Sequence, residues 1–221
     1  NPRAADGGAA GETIEAVKRR GPRRLRHRGR ALSAADCEAL AREASPGVAL
    51  VRVLPTTAAN GRPAPGWVTV MIVPQSLEPQ PQPSFELRRQ VHDYLLARAP
   101  AVIGAGQLAV IGPTYLPIGV AAGVVSRELS EAGRVEARVR AALARFLHPL
   151  TGGPEEEGWP FGRDVYLSDV AAVLEAVEGV DFVRELELLL NDIPQGEHIA
   201  VPPDRIVVAG RLRIEMQGPE S

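Results

Sequence analysis

The sequence predicts an α+β protein made of two small modules in series, each a few-stranded sheet with two helices packed on one side, preceded by a basic arm. Three observations support this. Segments with helical spacing of apolar residues alternate with Val-rich segments of strand character. Hydrophobic residues make up 45% of the 221 positions and aromatic residues only 4%, so aliphatic side chains must build the cores. Breaks rich in Pro and Gly divide the chain into an arm (residues 1–32), a first module (33–114) and a second module (115–221).

The arm is basic and the rest of the chain is acidic. Residues 1–30 hold nine basic and three acidic residues, net +6, whereas the remainder holds 16 basic and 24 acidic residues, net −8. No aromatic side chains are interleaved to stack bases, which favours docking on a protein over binding of nucleic acid. A weakly helical pattern runs from Glu12 to Lys18, and the pair Gly21-Pro22 is predicted to close it. We expect the arm to contact a neighbouring subunit, through the arginines Arg23, Arg24, Arg26, Arg28 and Arg30.

The first module begins with a helix and two strands. Ser33 and Asp36 form a capping signal for a helix that ends at Ala44, before Pro46-Gly47. Val48 to Leu54 and Trp67 to Val73 are Val-rich and should pair as a hairpin, with the segment from Pro55 to Gly66 as its long loop.

A second helix and a third strand complete the first module. Ser84 is predicted to cap the helix, in which Phe85, Val91 and Leu95 form one apolar stripe, and Pro100 lies beyond its end. A short strand from Leu108 to Ile111 follows.

The second module opens on a strand with one aliphatic and one small-residue face. Four aliphatic residues alternate with Gly and Ala from Ile118 onward, and Pro117 predicts either an edge position or a strand that starts after it. The clearest helix of the chain follows, with apolar residues at helical spacing from Val135 to Phe146. Ser168 is then predicted to cap a helix from Asp169 to Val177.

Two closing strands, Phe182 to Leu190 and Arg205 to Met216, complete the second sheet. In the last strand Ile206, Val208, Leu212 and Ile214 alternate with arginines, which predicts a sheet with one wet face.

Residue patterns that would support catalysis are scarce. The four histidines have no second ligand at metal-binding spacing, and Cys37 lies on the apolar stripe of its helix. The acidic run from Glu155 to Glu157 sits in a loop, where such a run is usually solvated. We therefore expect no catalytic residues, no metal and no cofactor, and we expect that the chain is not an enzyme.

Other features of the sequence concern the compartment of the protein and the extent of the chain. A single cysteine excludes an internal disulfide and fits synthesis in a reducing compartment. No apolar run approaches the roughly 20 residues that cross a bilayer. Because the sequence starts at Asn1 and not at Met, we interpret it as a piece of a longer polypeptide.

A loop between the two helices of the second module carries a family resemblance. The segment from His148 to Pro154, continuing from Gly158 to Tyr166, resembles the signature of baseplate J-like proteins, in their C-terminal part. The turn from Val177 to Asp181 agrees, as do Arg30 to Asp36 and Glu43 to Val48, so the resemblance spans about residues 25–190. Cys37 stands where relatives are expected to carry an aromatic residue.

The resemblance implies a structural wedge protein of a contractile injection system or contractile phage tail. Several copies would surround a central hub and spike, bind one another and a partner wedge protein, and link the spike to the sheath. Such a protein is assembled in the bacterial cytoplasm as part of a phage tail-like particle. It needs no cofactor and inserts into no membrane, and its work is mechanical.

The signature loop itself has the composition of a rigid, poorly solvated segment. Its prolines fix backbone angles, its glycines permit tight turns, and its two large rings require burial. Either the rings dock on a neighbouring subunit, or they pack within the chain against the helix from Val135 to Phe146. We expect an interface role, at least partly with another subunit, for Trp159, Phe161, Arg163, Asp164 and Tyr166.

Two other functions stay open. The basic arm could serve a ferredoxin-like module that binds nucleic acid, and binding would then weaken steeply with salt. A hydrolase is a third option, with Asp164 and the acidic run at Glu155 as its only support.

Overall fold

A computed structural model describes residues 28–217, together with the isolated arm positions 14, 18, 21 and 25. The predicted class is confirmed: the described chain is α+β, with sheets of three, four and two strands. Two buried clusters of aliphatic side chains correspond to the two predicted sheets. The division of the chain at residues 32 and 114 stays a prediction.

The first sheet has two helices on one side, in the predicted order. Its elements are α1 (Ala34–Ala44), β1 (Val48–Thr57), β2 (Pro63–Pro74), α2 (Phe85–Leu96) and β3 (Leu108–Ile111). The strands lie in the order β1-β2-β3, with β1 antiparallel and β3 parallel to β2. The helices pack on each other and on the sheet.

Sequence signals set the helix starts of this module. The Oγ atom of Ser33 accepts from the backbone N–H of Asp36, and the Asp36 carboxylate accepts from the N–H of Ser33, so the predicted capping box is present. The Oγ atom of Ser84 accepts from the backbone N–H of Leu87 and so caps α2.

Two predictions for the first module were wrong. Most of the segment from Pro55 to Gly66 is strand, because pairing continues as far as Thr57 with Pro63 and leaves only a short turn. Phe85, the first residue of α2, is 64% exposed, because it lines an open surface cavity with Val110 of β3 and does not enter the core. Val91 and Leu95 of the same predicted stripe are fully buried.

The second module has the predicted order with additional short strands. Its main elements are β4 (Thr114–Ser126), α3 (Ala132–Phe146), α4 (Leu167–Glu175), β6 (Val180–Leu190) and β9 (Arg205–Gln217). The two-residue strands are β5 (Val165–Tyr166), β7 (Ile193–Pro194) and β8 (His198–Ile199), and a single 3₁₀ turn covers Leu129–Glu131. The other 3₁₀ turn, Ala105–Gln107, lies in the first module, directly before β3. The main sheet has the order β7-β6-β4-β9, whereas β5 and β8 form a separate pair. Helix α3 packs over β9 and α4 over β6, and the two helices contact each other on one face of the sheet.

Three details of this module differ from the predictions. Strand β4 starts before Pro117 and lies inside the sheet, and Pro117 is tolerated because β6 pairs only from Ile118 onward, leaving β9 as the one neighbour there. Helix α4 starts at Leu167 with Tyr166 at its N-cap and ends at Glu175, so Ser168 does not cap it. Its first turn instead follows directly from the short strand β5.

The wet face predicted for β9 exists only in its second half. Ile206, Val207 and Val208 are all buried, and the register with β4 shifts near Gly210, where a Cβ atom would lie 2.9 Å from the carbonyl of Ile118. The Pro-rich segment around Leu77 lies beside the first half of β9, since Leu77 and Ala209 line the same cavity.

The modules are joined by contacts as well as by the chain. Val73 of β2 belongs to the buried cluster of the second module, and the Tyr115 hydroxyl donates to the carbonyl of Pro81 over 2.6 Å. Burial raises the pKa of Tyr115 above its ordinary value, so this hydroxyl keeps its proton and its donor role.

Candidate interface loop

The signature loop connects α3 to α4 and is built around Trp159. This ring has no exposed surface, and its Nε1–H donates to the carbonyl oxygen of Phe146 over 2.8 Å. The rings of Trp159 and Phe146 meet edge to face, with centroids 5.4 Å apart. Trp159 therefore has no surface left for a partner. Of the two sequence interpretations, packing within the chain against the Val135 to Phe146 helix describes this ring.

Glycines allow the loop to close over the ring. A Cβ atom on Gly152 would lie 2.0 Å from the carbonyl oxygen of Phe146. Gly158 has φ +92, and a Cβ atom on it would lie 2.8 Å from the carbonyl oxygens of Pro149 and Leu150. Both positions exclude any side chain, which explains why the sequence carries glycine there.

His148 fastens the loop to the segment that joins the modules. Its Nδ1 atom lies 3.2 Å from the N–H of Leu150 and 3.3 Å from that of Thr151, so it accepts from the backbone. The Nε2 atom is then the protonated one and lies 3.2 Å from the carbonyl of Glu78, to which it can donate. No sequence signal beyond its place in the signature pointed to this role.

Arg163 and Asp164 hold the loop in place inside the chain. The guanidinium of Arg163 makes two hydrogen bonds to the carboxylate of Glu155, one of them of 2.9 Å, and lies 6.0 Å from the centroid of the Trp159 ring. Hydrogen bonding from Arg163 holds the pKa of Glu155 below its ordinary value. The Asp164 carboxylate accepts from the N–H of Val201 over 2.8 Å.

The acidic run is not simply solvated. Glu155 binds Arg163, and Glu156 lies 3.3 Å from Arg145 of α3, so two of its three carboxylates pair with arginines of the module. These pairs lie at the surface, where each contributes little on its own. Their effect is to fix the outer edge of the loop.

Tyr166 and Phe161 keep accessible surface. Tyr166 is 48% exposed and stacks on the imidazole of His198, with centroids 5.7 Å apart. Phe161 is half-buried and packs against the core cluster of the second module. Of the five candidate residues in the loop, Tyr166 offers the most surface to a partner.

The candidate arginines of the arm are only partly described. Arg28 and Arg30 are exposed, whereas Arg23, Arg24 and Arg26 lie outside the described residues. The N–H of Ala31 donates to the carbonyl of Arg98 over 2.9 Å, and this contact attaches the end of the arm to the first module. Gly21 and Leu25 are helical, whereas Pro22, the second residue of the predicted stop, lies outside the described residues.

An open groove lies beside the loop, between α3 and α4. Its volume is about 360 Å³, and it is lined by Phe146, by small residues of both helices, and by the loop from Thr151 to Glu156. No sequence pattern indicates this groove, because it depends on how far apart two helices of different segments lie.

Two features are absent from the part of the chain that the structure describes. Residues 28–217 and the four arm positions contain no cluster of three or more His, Cys, Asp or Glu side chains able to hold a metal ion. Within the same described residues, no helix is long and apolar enough to span a membrane.

Comparison with known proteins gives a structural likeness and no family. No protein-family model matches the chain, and no curated protein matches it. Among solved structures, the chain is similar to one in the baseplate of the anti-feeding prophage, determined by cryo-electron microscopy with six-fold symmetrisation. The TM-score is 0.67 at 19% identity, over 92% of this chain and 42% of that chain. The two share a fold, and this chain spans less than half the length of its structural neighbour.

Proposed function

We propose that the protein is a structural component of the baseplate of a contractile injection system or phage tail-like particle. The observation that carries this proposal is the likeness of fold over 92% of the chain to a chain of the anti-feeding prophage baseplate. The sequence signature from His148 to Tyr166 supports it independently, since it resembles baseplate J-like proteins.

More specifically, we infer a baseplate J-like wedge that links hub and spike to sheath through protein contacts. Its partners would be other copies of itself, a partner wedge protein, and the hub, spike and sheath proteins, in a particle assembled in the bacterial cytoplasm. A wedge has to transmit force without deforming. The signature loop is suited to this, because its ring, its glycines and its two arginine-carboxylate pairs fix its shape before any partner binds.

This role requires no chemistry from the chain. The perturbed groups near the loop, Glu155 and Arg163, are explained by their mutual hydrogen bonds, and they face solvent and not an enclosed cleft. We therefore propose a protein that is not an enzyme.

Incorporation into particles tests the proposal. A tagged copy is expressed from its own locus in the native host, and sedimented particles are probed for the tag. We expect the tag to co-purify with contractile particles, and deletion of the gene to abolish particles with a complete baseplate. Complete particles from the deletion strain would overturn the assignment. As a control, a copy with Tyr166→Phe should incorporate normally, because the ring and its stacking on His198 are retained.

A further inference from the structure

We propose that the groove between α3 and α4 binds the basic arm (residues 1–32) of a second copy of this chain, with Leu25 as an anchor in the groove. The inference rests on the proposed function, in which copies assemble side by side, and it names a surface through which they meet.

The groove is apolar and shaped by small side chains. Its apolar lining comes from both helices and from the turn after α4: Ala142, Phe146, Ala172, Val173, Ala176 and Val177. At about 360 Å³ it accommodates one or two large aliphatic side chains. It is open in the described part of the chain, which leaves apolar surface that a partner can cover.

The rim of the groove is acidic. Glu156, Asp169 and Arg145 line it, and Arg145 pairs with Glu156, so the lining carries one net negative charge. Exposed Glu157 and Glu175 lie next to lining residues in the sequence. A basic segment with an aliphatic anchor therefore matches both the floor and the rim of the groove.

The arm has this composition, and the aliphatic residues Ile14 and Leu25 are exposed to solvent. Residues 1–30 carry a net charge of +6, and arginines surround Leu25 in the sequence. The described arm positions Ile14, Lys18, Gly21 and Leu25 are all helical.

The exposure of these anchors leaves them accessible to a partner, and a second copy of the chain supplies the matching groove. Leu25 is 78% and Ile14 69% exposed, and neither is among the residues that line the groove of the same chain. Within one chain, anchor and groove therefore do not meet. Docking between copies covers both, and it lets each copy donate an arm and accept one.

Disulfide trapping tests the contact with the full chain. All variants carry Cys37→Ala, so that each has a single introduced thiol: Leu25→Cys in one chain and Ala176→Cys in the other. The matched control is Ala141→Cys, an exposed alanine of α3 that does not line the groove. On mixing and mild oxidation, we expect several-fold more heterodimer from Ala176→Cys than from Ala141→Cys. The excess should fall when Ala172→Arg fills the groove of the acceptor, and at high salt.

Three outcomes would overturn the proposal. Equal yields from Ala176→Cys and Ala141→Cys would mean that the arm has no preference for the groove. A Leu25→Cys/Ala176→Cys double variant that closes only within its own chain would show docking in cis. Trapping that appears only when a different baseplate protein with its own thiol is supplied would assign the groove to that partner. Incorporation of the tagged chain into particles is a separate readout, so failure here leaves the baseplate assignment to its own test.

Discussion

Replacing Trp159 with alanine should destabilise the isolated chain by about 4 kcal/mol. The magnitude follows from its surroundings: the ring is fully buried, it meets Phe146 edge to face, and its Nε1–H donates to the Phe146 carbonyl. Truncation of a buried aromatic ring to alanine costs about 3 to 5 kcal/mol, which includes the cavity that remains. A loss of this size is a large part of the total stability of a typical domain, about 5 to 15 kcal/mol.

The experiment compares thermal and urea unfolding of the wild-type chain with two variants. For a domain of this size, about 4 kcal/mol corresponds to a fall in Tm of roughly 8 to 16 °C. Trp159→Phe keeps a ring but loses the hydrogen bond, and we expect it to lie between wild type and Trp159→Ala. The control Tyr166→Ala removes a ring that is half exposed, and it should cost about 1 kcal/mol or less.

A small effect would refute the reasoning. If Trp159→Ala lowered the free energy of unfolding by less than about 1 kcal/mol, the ring would not be buried as described. If that variant also failed to enter particles while remaining folded, Trp159 would contact a partner in the assembly, as the other sequence interpretation expects.

Further predictions concern the loop and the arm. Gly158→Ala should destabilise the chain by about 2 kcal/mol or more in urea unfolding, because residue 158 has a positive φ and the added Cβ atom would meet two carbonyl oxygens. The control Gly133→Ala, in open space on α3, should be neutral or slightly stabilising. Equal effects of the two substitutions would contradict the loop geometry. Because the pKa of Glu155 is lower in the folded than in the unfolded state, its pairing with Arg163 stabilises the fold at pH values above the unfolded-state pKa. This stabilisation is lost as the pH falls through the folded-state pKa. Unfolding followed from pH 7 down should show this component in wild type and in Glu157→Gln but not in Glu155→Gln. In filter binding, the chain should show no steeply salt-dependent affinity for a DNA duplex, since the body is acidic, and such an affinity would favour the nucleic-acid alternative.

Much of the fold was predictable because its signals are local. The capping pair Ser33 and Asp36, the Val-rich hairpin and the apolar spacing of α3 each depend on neighbouring residues, and each is present as expected. Where the predictions failed, tertiary pairing decided the outcome. Pro117 is accommodated inside a sheet because pairing with β6 begins only at the next residue, Ile118, which cannot be read from the strand itself.

The candidate interface was harder to predict than the fold. Its composition correctly indicated that Trp159 must be buried, but burial by the chain and burial by a partner leave the same pattern in the sequence. The tertiary structure separates them, because the carbonyl of Phe146 is the hydrogen-bond acceptor of the ring. The groove between α3 and α4 had no sequence signal, since small residues on two separate helices become a groove only when the helices pack.

Locating the chain within a particle tests the central claim most directly. Particles purified from the native host with a tagged chain are labelled with gold-conjugated antibody against the tag and imaged by electron microscopy. The baseplate assignment predicts gold at one end of extended particles, where the baseplate lies, and no gold along the sheath or on particles from an untagged strain. Label along the sheath, or extended particles with a complete but unlabelled baseplate in the tagged strain, would contradict it.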